Sequence, residues 1–343
     1  MSKRVKKNRP KHSRRIVCLG GGTGVSVVLS GLKKYPIDLT AIVTMFDSGG
    51  SSGKLRKEID ILPLGDIRQC LVALSDSKNL TTFFNYRFRK GGLKGHNLGN
   101  LLIAAVTKAT GNLDKAIEKI GKILNIKGEV IPVTLNKADI TAVLKNNKKI
   151  KEEEKIINCP QVSKIGVRRL SLTPKTKANP KAIAAIKKAD LIVIAPGKFY
   201  TSVLPNFLVK GISEAVHKSP AKKVFVCNLM TQVRNTDGFS VENFLIILEK
   251  YLGKATVDYV IFNTGKLSTK RFKEVRKVFP KSDYICYDKN LSKKKNFIGV
   301  DIIDRQIQKL NSADTLVKGA NKRTLIFHEP NKLAKIIINL CRR

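Results

Sequence analysis

Two glycine- and serine-rich segments, each directly behind an apolar run, stand close together near the start of this chain and restrict it to a small set of folds. Gly20-Gly21-Gly22-Thr23-Gly24 follows Arg15 to Leu19, and Asp47-Ser48-Gly49-Gly50-Ser51-Ser52-Gly53 follows Leu39 to Phe46. A backbone without Cβ atoms lets consecutive N–H groups approach an anion, and a helix behind such a loop adds its positive dipole end. One such loop holds a phosphate; two at neighbouring strand ends point to a nucleotide.

Three common phosphate or nucleophile patterns fit poorly. A dinucleotide fingerprint starting at Gly20 needs a small residue where Val25 stands, and a Walker loop counted back from Gly53-Lys54 needs glycine at Ser48 and a hydroxyl residue at Leu55. Gly49 to Gly53 does satisfy the five-residue nucleophile-elbow pattern of serine hydrolases, which glycine-serine loops meet easily by chance.

Apolar runs alternate with helical spacing along the rest of the chain. Strands are expected at Arg15–Leu19, Leu39–Phe46, Leu191–Ala195, Lys223–Asn228, Tyr259–Phe262, Asp283–Tyr287 and Thr324–Phe327. Helices are expected at Val25–Lys34, Lys181–Lys188, Thr201–His217, Val241–Tyr251, Thr269–Val278 and Asn331–Leu340. The helical patterns Gly65–Leu74, Thr81–Phe88, His96–Ala109 and Leu113–Leu124 form a block over about 65–125. Short strands at Glu129–Thr134, Asp139–Lys145 and Gly166–Leu172, with a turn or hairpin edge over Asn146–Lys155, suggest a small β-rich insertion over about 129–173. The pattern predicts a single α/β domain over 15–343, a Rossmann-like doubly wound and mostly parallel sheet whose ligands bind beyond the carboxyl ends of the strands. Residues 1–14 read as a disordered basic tail.

The net charge of +40 raises nucleic acid as a partner, but the lysines are spread over the whole length without an aromatic platform or a recognition motif, so weak polyanion attraction is the expectation and specific nucleic-acid binding is not. No apolar segment is long enough for a membrane span. Six cysteines without paired spacing point to a reduced, cytoplasmic protein lacking a structural zinc.

The ordered series Ile16-Val17-Cys18-Leu19-Gly20-Gly21-Gly22-Thr23-Gly24, Asp47 to Arg56, Gly65-Asp66-Ile67-Arg68, Gly95-His96-Asn97-Leu98-Gly99-Asn100, Ala195-Pro196-Gly197 with Tyr200-Thr201-Ser202, and Cys227 to Gln232 resembles the motif series of the YvcK/CofD-like proteins, and more closely their YvcK branch, the gluconeogenesis factors, than the phospholactate transferases. The resemblance spans nearly the entire chain. It implies a cytoplasmic bacterial protein that binds a nucleotide sugar such as UDP-N-acetylglucosamine and supports cell shape and wall synthesis during gluconeogenic growth, with a cell-wall synthesis protein as partner and homo-oligomers left open. The alternative is a transferase of the phospholactate-transferring type using a metal-bound nucleotide diphosphate donor.

On this view Gly21, Gly22, Thr23 and Gly24 hold one phosphate, and Gly49, Gly50, Ser51, Ser52 and Lys54 the other. A bulky residue at Gly22 is then expected to block the ligand and leave the fold intact. Asp47 and Asp66 are the candidate ligands of Mg²⁺, the one cofactor considered, or else helix caps. Arg68 is a phosphate clamp or a solvated side chain. His96, with Asn97 and Asn100, is expected at the ligand; His96 and Asp66 are the candidates for catalysis, with Asp47 as the third agent open to the transferase alternative. Asn228, Thr231 and Gln232 suit a base, ribose or sugar, or else form a turn. The resemblance adds Gly197, Lys198, Tyr200, Thr201 and His328 to the ligand set.

Against the family pattern, the second loop reads Asp47-Ser48 for an acidic doublet, Gly197-Lys198 stands for Gly-Ser, Arg234-Asn235-Thr236 for Gly-Glu-Thr, and Phe327-His328-Glu329 for Arg-His-Asp. Lys198, Arg234 or Arg323 is the expected replacement for the missing arginine. No activated nucleophile with an oriented base is evident, so binding without turnover is the leading expectation.

Overall fold

The computed structural model describes residues 13–306 and 326–342. The chain opens with β1 (Arg15–Gly20), α1 (Gly22–Leu32) and β2 (Asp38–Val43). Helices α2 (Gly50–Glu58), α3 (Gly65–Leu74), α4 (Lys78–Asn85), α5 (Leu98–Thr110) and α6 (Leu113–Ile123) then lead to β3 (Glu129–Pro132). A side unit follows, made of β4 (Asp139–Leu144), β5 (Lys149–Lys151), α7 (Glu153–Asn158), α8 (Gln161–Ile165) and β6 (Val167–Thr173). The second half continues with α9 (Pro180–Lys188), β7 (Leu191–Ile194), α10 (Ile212–Lys218), β8 (Lys222–Val226), α11 (Val241–Leu252), β9 (Tyr259–Asn263), α12 (Thr269–Val278), β10 (Phe297–Val300) and α13 (Pro330–Arg342).

Seven strands form one parallel sheet in the order β10-β9-β8-β7-β1-β2-β3, and β4, β5 and β6 form a separate antiparallel sheet. The continuous apolar runs of β1 and β7 follow from helices covering both faces, which leaves no solvated side to alternate toward. From β1 the chain steps outward to β2 and β3, then returns to the other side of β1 to start β7, β8, β9 and β10. The β1/β7 boundary is therefore the switch point, where diverging connections open a crevice at the carboxyl ends.

Helix packing explains one glycine outside that crevice. At Gly31 an added Cβ would lie 2.0 Å from the Pro330 carbonyl oxygen, so α1 and α13 cross closely enough to exclude any side chain there.

Several expected elements differ. The second glycine-serine segment is not wholly loop: helix α2 starts at Gly50, so its serines sit in a first helical turn. Strand β2 stops at Val43, and β3 pairs parallel with β2, which moves it from the insertion into the main sheet. The helix expected over Thr201–His217 is broken into a π turn Phe199–Val203, a 3-10 turn Leu204–Leu208 and α10. Pro205 offers no N–H, Asn206 Nδ2 donates to the carbonyls of Ser202 and Val203 at 2.8 and 3.0 Å, and Gly211 with φ +100° sets the new start. Asp283–Tyr287 makes only isolated bridges, from Tyr284 to Met230 and from Cys286 to Ser240. The edge strand β10 was hidden by its brevity. Residues 1–12 of the basic tail, Arg323, and residues 324 and 325 of the expected last strand lie outside the described residues. Among the described residues no helix is long and apolar enough to cross a membrane.

Candidate functional site

A cavity of about 950 Å³ opens at the switch point. Its walls come from the loops after β1, β2, β7 and β8, from the start of α3, and from Glu153 of the side unit. Arg87, Lys164, Arg234 and Lys281 also line it, so cations come from four separate parts of the chain.

Three helices open onto this cavity with the same kind of first turn. Helices α1, α2 and α3 begin at Gly22, Gly50 and Gly65, all of which line the cavity, and none has a side-chain cap. Of the other helices, α4, α5, α6, α9, α11 and α12 are capped by Ser77, Asn97, Asn112, Asn179, Ser240 and Ser268, while the short α7, α8 and α10 have no side-chain cap either. Uncapped amides with a positive dipole end are a ready anion receptor, and here three of them face one space.

The close approach of these helices is what the glycines serve. A Cβ on Gly24 would lie 1.7 Å from the Pro196 carbonyl oxygen, one on Gly22 2.7 Å from the Asp66 Cα, and one on Gly21 2.8 Å from the Ser202 Cβ. The expectation that Gly22 tolerates a bulky side chain is therefore wrong, because backbone of α3 fills that space. Gly197 is the permissive position: it lines the cavity, and a Cβ there meets nothing nearer than 3.5 Å.

Gly21, Gly22, Thr23, Gly24, Asp47, Gly49, Gly50, Ser51, Ser52, Asp66, Arg68, Asn100, Gly197, Lys198, Asn228, Thr231, Gln232 and His328 are brought together around the cavity, and several of their polar groups already have work inside the protein. Thr23 Oγ1 donates to Gln69 Oε1 at 2.9 Å. Ser52 Oγ accepts from Gly65 N at 3.0 Å and ties α2 to α3. Asn228 and Gly197 are joined by reciprocal hydrogen bonds of 3.1 and 2.8 Å, which lock the loops after β7 and β8 together. Thr231 Oγ1 accepts from Asp283 N at 3.0 Å. Buried Arg68 is neither solvated nor an open clamp: its Nε donates to Asn100 Oδ1 at 3.1 Å and its Nη1 to Asn85 Oδ1 and Phe84 O.

Five expected ligand residues stand off the cavity wall. Lys54 points outward toward Glu58 at 3.7 Å, and Asn97 caps α5 by accepting from Asn100 N at 3.2 Å. Tyr200 and Thr201 are buried in the π turn, Tyr200 packing against Phe199 and Phe239, while Ser202 is the residue of that turn that lines the cavity. His96 lies behind Ser51, its Nδ1 3.3 Å from Ser51 Oγ. That hydroxyl also accepts from Asn97 N and Asn100 Nδ2, and among the described residues no carboxylate hydrogen-bonds the other ring nitrogen of His96. A serine–histidine pair is present, but the third member that would orient a base is not. Burial, followed by the charge of Lys54, holds the His96 ring below its usual pKa.

Sequence reasoning missed Glu153. It comes from the side unit, is 2% exposed, and accepts from Ser48 N at 3.0 Å and from Lys198 Nζ at 3.1 Å. No local pattern marks a glutamate in Glu152-Glu153-Glu154 as the buried one. Gln69, Arg87 and Lys281 were missed for the same reason. Arg234 adopts a left-handed φ of +72° where the family pattern carries glycine, and its Nη1 donates to Asn158 O at 3.3 Å.

The Asp47 carboxyl is held well above its usual range by burial and then by the charge and hydrogen bond of Glu153. Burial also raises Glu153, but the Lys198 ammonium, Asp47 and the Ser48 amide outweigh it and hold Glu153 below its usual range. The shared proton therefore sits on Asp47. Asp66 is the second residue of α3 and not its cap; its carboxylate lies against Gly21 and Gly22. A metal held jointly by Asp47 and Asp66 does not fit this arrangement. Asp47 is engaged by Gly49 N at 2.9 Å and by Glu153, and an ammonium already occupies the Glu153 side. Among the described residues no group of three His, Cys, Asp or Glu is arranged to hold a metal.

One stability prediction follows from the proton on Asp47. A carboxyl whose folded pKa is raised contributes stability that is full below the unfolded pKa and is lost as pH rises above it. In Asp47→Asn an amide replaces the shared proton, still accepting from Gly49 N and donating to Glu153. The variant is expected to gain stability relative to the native chain as pH rises from 5 to 8 in urea denaturation. A loss at pH 8 would overturn the assignment of the proton.

Comparison with known proteins agrees with this architecture. Residues 16–307 match the family model described as 2-phospho-L-lactate transferase CofD. The chain is 45% identical over 258 residues to a protein of Halalkalibacterium halodurans named gluconeogenesis factor, covering 74% of this chain and 79% of that one. It is 37% identical over 329 residues to the gluconeogenesis factor of Bacillus subtilis, covering 95% and 98%. A crystal structure of a UPF0052 family protein from Bacillus halodurans superimposes with a TM-score of 0.83 at 36% identity, covering 96% of this chain and all of that one.

Proposed function

This chain belongs to the CofD/YvcK family, and from that premise we propose that it is a nucleotide-sugar-binding regulator whose ligand is of the UDP-N-acetylglucosamine class. The observation that carries the reading is the convergence of three uncapped helix N-termini on a cavity large enough for a nucleotide sugar. In this reading the amides of Gly22 and Gly50 and their neighbours, with those that follow Gly65 in α3, receive the diphosphate, Arg87, Lys164, Arg234 and Lys281 raise the local concentration of anions, and Gln232 with the loop after β8 meets the base or sugar. Occupancy would alter the surface offered to a partner in cell-wall synthesis, which links the ligand to cell shape under gluconeogenic growth.

Isothermal calorimetry with UDP-N-acetylglucosamine is expected to give one site per chain. Gly197→Val, whose Cβ meets no atom nearer than 3.5 Å, is expected to weaken binding by at least about tenfold with an unchanged melting temperature. Equal affinity in a folded Gly197→Val protein would sink the assignment of the cavity.

The second reading is a transferase, favoured by the description of the matching family and by Asp66 at the cavity wall. Incubation with Mg²⁺, the nucleotide sugar and candidate acceptors separates the two. Nucleotide release that is lost in Asp66→Asn would establish turnover, and binding without release would leave the ligand as a signal.

A further inference from the structure

Lys198 is held unusually firmly for a lysine on a cavity wall. Its carbonyl oxygen accepts from the N–H groups of Thr201, Ser202 and Val203 at 3.2, 2.7 and 3.2 Å, which fixes the residue at the head of the π turn. Its Nζ donates to Glu153 Oε1 at 3.1 Å, while Glu153 Oε2 is taken by Ser48 N and the same carboxylate is hydrogen-bonded to Asp47. Glu153 is 2% exposed, whereas a third of the Lys198 side chain remains open on the cavity. The ammonium thus has two acidic groups behind it and ligand space in front.

We propose that Lys198 is the resident cation of this site: it excludes a divalent ion from the Asp47–Glu153 pair and presents its own charge to the phosphates of an anionic ligand, so that binding needs no Mg²⁺. Mg²⁺ demands near-octahedral oxygen ligands and gives up water reluctantly, and an ammonium bonded to the same carboxylate both repels it and uses up its ligand. A lysine is well suited to the replacement, being a compact charge on a flexible stem that can serve carboxylate and phosphate together. The identity of the ligand rests on the nucleotide-sugar reading; the exclusion of the metal does not.

Two measurements on the full chain test this separately. In the first, Mn²⁺ binding to nucleotide-free protein is followed by electron paramagnetic resonance. The native chain is expected to hold no stoichiometric ion at millimolar Mn²⁺, Lys198→Met to gain one, and the added change Glu153→Gln to remove it again. A site in the native chain that disappears in Asp47→Asn, or no gain in folded Lys198→Met, would overturn the proposal. In the second, calorimetry with UDP is expected to give the same affinity in EDTA and in Mg²⁺, and an affinity at least about tenfold weaker for Lys198→Met in EDTA, with Lys198→Arg as the charge-conserving control. A native affinity that collapses in EDTA overturns the proposal without relying on any variant. If UDP does not bind while the Mn²⁺ results are as expected, the nucleotide reading fails and the exclusion of the metal stands.

Discussion

Gly24→Ala is expected to lower the stability of this protein by about 3 kcal/mol or more, although it adds a single methyl group. The added Cβ would lie 1.7 Å from the Pro196 carbonyl oxygen and 2.7 Å from the Pro196 carbonyl carbon, and both obstacles are backbone that cannot rotate away. Relief requires moving α1 off the loop after β7, and α1 is wedged at the switch point between β1, α3 and α13. Its residues Val25, Val28, Leu29 and Leu32 are fully buried. Urea denaturation of Gly24→Ala beside Gly197→Val is the direct comparison, because both glycines line the same cavity and only the first is closed to a side chain. A Gly24→Ala protein within 1 kcal/mol of the native chain would show that this helix can retreat, contrary to the packing described.

The second large effect is acid sensitivity from one histidine. His328 is buried, its Nε2 donates to the Cys227 carbonyl at 3.0 Å, and burial lowers its pKa to about 4 from the ordinary 6.5. The folded chain therefore keeps this ring neutral where the unfolded chain protonates it, so its contribution is full above pH 6.5 and is lost as pH falls toward 4. The loss over that range is about 3 kcal/mol at 1.36 kcal/mol per unit. His328→Gln preserves a donor for the Cys227 carbonyl and carries no titrating ring, so the stability gap between the native chain and this variant should shift by that amount between pH 7 and pH 4. A constant gap would mean that the ring charges without leaving its place. His328 also lines the cavity, so the same titration is expected to weaken the site from within at low pH.

The two predictions concern residues that were selected as ligand contacts from their place in motifs. Gly24 and His328 do reach the cavity wall, but their strongest constraints come from Pro196 and Cys227, which are 172 and 101 positions away. Thr23, Ser52 and Asn228 follow the same pattern, each standing at the wall with its side chain engaged by another element. A motif records that a residue is needed near a site, and it does not distinguish a group that touches ligand from one that holds the wall in place. Tyr200 and Thr201 illustrate the error this produces: they share a motif with Ser202, but the π turn rotates them into the core and leaves Ser202 facing the cavity.

What the sequence determined by itself was what short-range patterns encode. Continuous apolar runs marked β1 and β7 as buried parallel strands, glycines punctuated their carboxyl ends, and helical spacing gave α3 and α12 with their observed bounds. From that alternation the doubly wound sheet and the position of the cleft followed. Only the tertiary structure decided the electrostatics of the cleft. Glu153 reaches Ser48 across 105 positions and Lys198 across 45, and the side unit that carries Glu153 has no signal for which face of its short helix turns inward. Charge balance inside a cavity depends on which groups share a low-dielectric space, and that is fixed by long-range packing that no local spacing records.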